Sequence, residues 1–67
     1  MKIEERFREN LKGIRSGLGW TQSELGEKCG LTAAHISHFE AGHRVPTIQT
    51  LEKLMNGIYC SYHELLD

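Results

Sequence analysis

The sequence lacks the features of a membrane-bound or disulfide-stabilised protein. No apolar run approaches the roughly 18 residues that a membrane span needs, and the charged residues 1–6 contain no apolar signal core. Cys29 and Cys60 are the only cysteines, so we expect reduced core thiols in a cytoplasmic protein. The 67 residues suffice for one domain with one small core, which we assign to residues 1–67.

A surplus of basic residues, which is usual in domains that bind nucleic acid, is also missing. Eight Lys and Arg face nine Asp and Glu, so the formal net charge is −1. The acidic residues are unevenly distributed, because Glu40 is the only carboxylate between Gly30 and Pro46. Arg44 and three of the four histidines lie in the same stretch. An acidic chain can therefore still present one neutral or basic face to a polyanion.

A single proline leaves nearly the whole chain free to form helices, and the apolar spacing predicts that it does. The first predicted helix carries Phe7, Leu11, Ile14 and Leu18 on one face and ends near Gly19. No stretch alternates apolar and polar residues for long enough to predict a strand. The fold class expected from these patterns is all-α.

Short polar residues mark where the later helices begin. Thr21 followed by Glu24 is a capping box that predicts the start of the second helix. Thr32 and Thr47 are N-caps for a third and a fourth helix. Ser61 opens a second capping box and with it a short fifth helix. The expected architecture is a compact bundle of five helices.

The strongest pattern lies between the second and third helices. A bulky residue at position 26 would collide with the third helix, so we expect glycine or alanine there, and Gly30 suits a turn that needs positive φ. Leu31, Ile36 and Phe39 are the apolar residues that would bury the third helix against the first. Two short helices that cross steeply through a tight turn need this combination, which predicts a helix-turn-helix.

At these residues the sequence resembles a known family. Residues 21–32, residues 35–42 and residues 46–54 are similar to the xenobiotic-response-element (XRE) family, which includes the DNA-binding domains of phage Cro and repressor proteins. The resemblance covers nearly the whole chain. It implies a five-helix lambda-repressor-like fold, a homodimer, and regulation of transcription through an operator with two half-sites.

The resemblance also implies where duplex DNA would bind. Gln22, His35, His43 and Arg44 match positions at or near the phosphate backbone, and the third helix, about residues 32–41, would lie in the major groove. Its base-facing residues are Thr32, Ala33, Ala34, Ser37 and His38. Alanine at positions 33 and 34 can touch a thymine methyl but donates no hydrogen bond. Arg15 and Glu40 match positions that often form a buried ion pair.

Dimerisation is expected through the C-terminal helices. That part of the chain has more apolar surface than a short last helix can bury internally. The residues concerned are Met55, Ile58, Tyr59, Tyr62 and Leu66. Tyr59 and Tyr62 fit either the core or the dimer contact.

Several features allow other interpretations. Three histidines, at 35, 38 and 43, together with Cys29 could ligate a metal, but no ligand pairs have zinc-finger spacing. Trp20 could stack on a base and more readily covers the core.

We expect no enzyme activity, cofactor, metal or small-molecule substrate. The rival function is a protein-interaction module, such as an antitoxin-like or adaptor domain on the same fold.

Overall fold

The computed structural model describes the backbone of residues 2–66 and the side chains of residues 2–3 and 5–60. It contains four helices: α1 (Ile3–Gly17), α2 (Gln22–Cys29), α3 (Ala33–Ala41) and α4 (Ile48–Leu66). No strand occurs in residues 2–66, which agrees with the predicted all-α class. None of the helices in that range has both the length and the apolar character needed to cross a bilayer.

The predicted N-caps of α2, α3 and α4, which are Thr21, Thr32 and Thr47, are confirmed. Thr21 accepts from the backbone N–H of Glu24, and the Glu24 carboxylate accepts in return from Thr21. Gly30 follows α2 in the left-handed conformation with φ of 72°, as a tight turn requires. The Thr47 hydroxyl accepts from the N–H of Thr50 at 3.2 Å and begins α4. These local hydrogen bonds and the turn at Gly30 determine where α2 begins and ends and where α4 begins.

The predicted fifth helix is wrong, because α4 continues without a break from Ile48 to Leu66. Ser61 lies inside this helix, so it does not begin a new one, although its side chain is outside the described residues. No proline follows Pro46, and Gly57 does not interrupt α4. Instead Gly57 lets α4 approach α2: an added Cβ would lie 2.6 Å from the Cys29 Sγ and 2.7 Å from the Lys28 carbonyl oxygen.

The core lies where α1, α2, α3 and α4 converge. Its buried members are Leu11, Leu25, Cys29, Ile36, Phe39 and Leu54. Phe7 packs on this cluster edge-on to Phe39, with ring centroids 6.2 Å apart. Trp20 is also partly buried against the core, which agrees with its predicted covering role. Each helix thus contributes at least one buried apolar side chain.

The two cysteines differ, and the prediction that both lie in the core is wrong for Cys60. Cys29 is buried with its Sγ 3.7 Å from the Leu54 carbonyl oxygen, and burial raises the pKa of its thiol. Cys60 is exposed. The reason is helical periodicity: Leu54 and Ile58 face the core, and position 60 is rotated away from them.

Candidate nucleic-acid interface

Helix α3 presents two different sides. Ile36 and Phe39 are buried on one side. The side that the core leaves accessible, here called the recognition face, consists of Ala33, Ala34, Ser37 and His38, all of which are exposed or half-buried. These positions lie one turn apart in pairs, as residues on one side of a helix do. The predicted base-facing residues therefore share a surface that the core leaves accessible.

The predicted Arg15–Glu40 pair is present and partly buried. Arg15 donates from Nε to Oε2 of Glu40 at 2.6 Å and from its NH2 group to Oε1 at 3.0 Å. Arg15 also donates to the Trp20 carbonyl oxygen at 2.9 Å. The side chains are only 17% and 5% exposed, respectively. This two-pronged contact joins α1 to the buried side of α3 and fixes the rotation of α3 about its axis.

The charge of Glu40 is stabilised despite its position. Burial alone raises the pKa of the Glu40 carboxyl, but hydrogen bonds from Arg15 and Gln22 and the charges of Arg15 and Lys12 outweigh burial, so that its pKa lies below the ordinary value. The hydrogen bond to Glu40 in turn raises the pKa of Arg15. The one carboxylate of the 30–46 stretch is thus held as an ion pair, and its charge is neutralised locally.

Gln22 has a structural contact that the sequence did not predict. Its Nε2 donates to Oε1 of Glu40 at 3.3 Å, so the start of α2 is tied to α3. A glutamine amide has two N–H donors, and the second one is available for the predicted phosphate contact. No short-range pattern could have shown this bond, because Gln22 and Glu40 are 18 positions apart.

The turn between α2 and α3 depends on close backbone contact at Gly26. The Leu31 N–H donates to the Gly26 carbonyl oxygen at 2.7 Å. A Cβ at position 26 would lie 2.7 Å from the Leu31 oxygen and 3.0 Å from the Thr32 carbonyl carbon. The collision therefore begins at Cβ, so the expectation that alanine would fit at position 26 is wrong, and the atoms concerned belong to the turn backbone before α3 and not to α3 itself.

The remaining predicted residues lie at the two ends of α3. Thr32 and His35 are exposed and bonded to each other at its N-terminal end. His43 and Arg44 are exposed in the loop after α3, and the His38 and His43 rings are 6.2 Å apart. Capping by His35 was missed at the sequence level, although Thr32 and His35 have the same spacing as Thr21 and Glu24.

No metal site is formed by the described residues, in which no three His, Cys, Asp or Glu side chains come together. The fold separates Cys29 from the three histidines that were considered with it as ligands. Cys29 is in the core, whereas His35, His38 and His43 lie on the outside of α3 and its following loop. The Lys28 Nζ lies 6.0 Å from the ring centroid of Trp20, the residue that was considered for stacking on a base.

Comparison with known proteins gives a consistent result. The helix-turn-helix family matches residues 11–65. Antitoxin HipB of Escherichia coli K12 is 39% identical over 51 residues, which cover 76% of this chain and 58% of HipB. The transcriptional regulator SinR of Bacillus subtilis is 37% identical over 60 residues, 88% of this chain and 54% of SinR. No solved structure gives a significant match.

A third relative is the phage CTXphi transcriptional repressor RstR of Vibrio cholerae, 29% identical over 65 residues, 97% of this chain and 54% of RstR. The chain spans slightly more than half the length of these curated relatives. The fold and the comparisons together define a helix-turn-helix protein. The chain belongs to the helix-turn-helix family, and the resemblance to its XRE branch is confirmed.

Proposed function

We propose that the chain is a small transcriptional regulator that binds duplex DNA with sequence preference, as a homodimer, by docking α3 in the major groove. The observation that carries this proposal is the fixed orientation of α3. Glu40 is held by Arg15 and Gln22, and Ala34 and His38 of the recognition face are exposed. To contact base edges, a recognition helix needs a fixed orientation and exposed side chains on one side.

Each predicted contact residue has a chemical role in this proposal. Gln22, His43 and Arg44 would position the domain on phosphates, and the N-terminus of α2 adds a partial positive charge beside Gln22. Ala33 and Ala34 offer only methyl groups. Hydrogen bonding to bases is therefore left to the polar residues of α3, which are Thr32, His35, Ser37 and His38. The proposed function needs no cofactor and no catalytic step. A regulator that binds chromosomal DNA in this way would act in the cytoplasm.

The charge distribution supports binding of moderate strength. Glu40, the only carboxylate in residues 30–46, is paired with Arg15. Arg44 is the only Lys or Arg in the same stretch, so the number of phosphates that this stretch neutralises would be small and the salt dependence modest. Sequence preference would then depend on base contacts and on the ease of deforming the duplex.

The homodimer is proposed through α4, whose apolar residues are largely uncovered. Ile48 is 83% exposed, Met55 63% and Tyr59 64%, and Ile58 is half-buried. Tyr62 and Leu66, the other two expected contacts, lie outside the described side chains. A second copy of the chain would cover this surface and present two α3 helices about 34 Å apart, one turn of DNA. Sedimentation that shows only monomer at tens of micromolar, with and without DNA, would contradict the dimer.

The DNA proposal is tested by selecting duplexes from a random library and measuring affinity at several salt concentrations. Arg44→Ala should weaken binding and reduce the log–log salt slope by roughly 0.9 if one phosphate contact is lost. Lys53→Ala is the matched control, because it removes the same charge from exposed α4. Equal effects of the two substitutions, or no enrichment of any duplex, would contradict the proposal.

A second candidate is a protein-interaction module of the antitoxin type. It is favoured by the two alanines of the recognition face and by the similarity to HipB, a protein named as an antitoxin. In that case α3 would be an ordinary surface. Retention on heparin or nonspecific duplex DNA at low salt, lost at moderate salt, separates the two functions because only the DNA-binding module predicts it.

A further inference from the structure

The helices α2 and α3 begin with capping boxes of the same spacing but different chemistry. In α2, the Thr21 N–H donates to Oε1 of Glu24 at 3.1 Å. In α3, the Thr32 N–H donates to Nδ1 of His35 at 3.3 Å, and the His35 N–H donates to the Thr32 hydroxyl at 3.2 Å. The third helical residue of such a box is usually Glu or Gln. The helix proposed to enter the groove therefore carries an imidazole ring where α2 carries a carboxylate.

The backbone partner determines which nitrogen of His35 carries the proton. A backbone N–H can only donate, so Nδ1 must be the unprotonated acceptor. The Thr32 hydroxyl lies 3.0 Å from the same nitrogen, and since it accepts from the His35 N–H, its own proton is free to turn toward Nδ1. The neutral ring is then protonated at Nε2. Because the two nitrogens bond in diverging directions, the Nε2–H faces away from the cap.

We propose that the α3 capping box holds His35 as the Nε2–H tautomer, so that this side chain is at once a helix cap and a hydrogen-bond donor aimed at acceptor atoms of duplex DNA. The proposal rests on the DNA-binding function proposed above. Acceptors of this kind are phosphate oxygens and the N7, O6 and O4 atoms of base edges. A donor group of DNA is rejected, because the fixed ring has no outward lone pair to offer it.

The contrast with α2 supports this assignment. A glutamate at position 35 would cap α3 equally well, but its charge would repel phosphates and it has no proton to donate at neutral pH. Histidine keeps the acceptor that the cap needs and adds an outward donor. With alanine at positions 33 and 34, His35 is one of the few first-turn groups of α3 that could supply a hydrogen bond.

The tautomer is tested without DNA, by nitrogen NMR of the full chain and amide exchange at the Thr32 N–H. We expect one His35 tautomer with Nδ1 unprotonated, and a Thr32 amide that exchanges about tenfold more slowly than in His35→Ala. His35→Gln should keep this protection, because its amide oxygen can accept from Thr32. Protonated Nδ1 in the neutral ring, or Thr32 exchange as fast as in His35→Ala, would overturn the proposal.

The donor is tested by methylating His35 at Nε2 in a chemically synthesised 67-residue chain. This change removes the donor, leaves Nδ1 free to cap and adds no charge. We expect threefold to tenfold weaker binding, the range of one net hydrogen bond, with Thr32 protection unchanged. His35→Gln, which retains both an acceptor and an outward N–H, should bind within about threefold of the unmodified chain. His35→Ala, which removes the donor without adding a methyl group, should lose at least as much affinity, so a loss in the methylated chain alone would be due to the bulk of the methyl group and would overturn the donor role.

Two duplexes distinguish the source of the acceptor. A duplex selected from the random library and a scrambled duplex of equal length should both lose affinity on methylation if the acceptor is a phosphate. A loss on the selected duplex alone identifies a base edge. Undiminished affinity for both duplexes would overturn the donor role. If the unmodified chain binds no duplex, the proposed function fails, whereas the tautomer measurement still stands or falls on its own.

Discussion

Ile36 in α3 and Ile48 in α4 are the same residue type, yet Ile36 is fully buried and Ile48 is 83% exposed. The difference extends to the regions around them. The α2–α3 pair is stabilised by the N-caps of both helices, by the tight turn at Gly26 and by the Arg15–Glu40 ion pair, which holds α3 to α1. Helix α4 contributes Leu54 to the core and leaves much of its apolar surface uncovered. The polar and apolar groups of the first region are paired or buried within one chain, whereas the second region leaves large apolar side chains exposed.

The largest expected effect tests this contrast with one substitution in each region. Ile36→Ala removes a side chain with no exposure and should lower the free energy of unfolding by about 3–4 kcal/mol. Ile48→Ala should change it by less than about 0.5 kcal/mol, and should weaken self-association if α4 forms the dimer. Urea melts at low protein concentration measure the first effect and sedimentation the second. Similar stability losses for both variants would remove the distinction between the regions.

The next prediction concerns the contact that holds α3 to α1. Arg15→Met or Glu40→Gln leaves a poorly compensated partner in a site where the two side chains are 17% and 5% exposed. Each should destabilise the fold by about 3 kcal/mol, and the double substitution should cost less than the sum of the two singles. A surface pair would contribute less than about 1 kcal/mol. Small losses in both singles would show that α3 is held by its apolar residues alone.

Glycine substitutions test how closely the backbones approach in each region. Gly26→Ala would place Cβ 2.7 Å from the Leu31 oxygen, and Gly57→Ala would place it 2.7 Å from the Lys28 oxygen. Since backbone atoms cannot move aside cheaply, each should destabilise by about 1–3 kcal/mol. Gly13→Ala is the control, because nothing lies within 4 Å of its added Cβ, and it should stabilise α1 by about 0.5–1 kcal/mol. Thermal melts of the three variants give the ranking.

The smallest effect is a pH dependence specific to the α2–α3 region. The pKa of Glu40 is lowered in the folded state from its ordinary value of 4.5, so the folded chain favours the charged carboxylate. Its stabilising contribution is complete above the ordinary value and is lost as the pH falls through the lower folded value. Unfolding free energy should therefore fall more steeply in the wild type than in Glu40→Gln as the pH drops below about 4.5. Parallel pH profiles would contradict this assignment.

Local sequence signals were sufficient for most of the helix-turn-helix. Thr21, Thr32 and Thr47 begin helices where the patterns predicted, and Gly30 has the positive φ expected of it. These signals work because a cap or a turn involves atoms within a few residues of one another. The Arg15–Glu40 pair was also anticipated, but through family resemblance and not through local physics.

The sequence by itself therefore determined the all-helical class, the starts of α2, α3 and α4, and the turn between α2 and α3. Only the tertiary structure decided that α4 continues through Gly57, that Cys60 is exposed, and that Gln22 donates to Glu40. Each of these three features depends on the packing of helices that are far apart in the sequence. Gly57 shows the reason: a glycine that would weaken an isolated helix is accommodated here because Cys29, 28 positions earlier, packs directly against it.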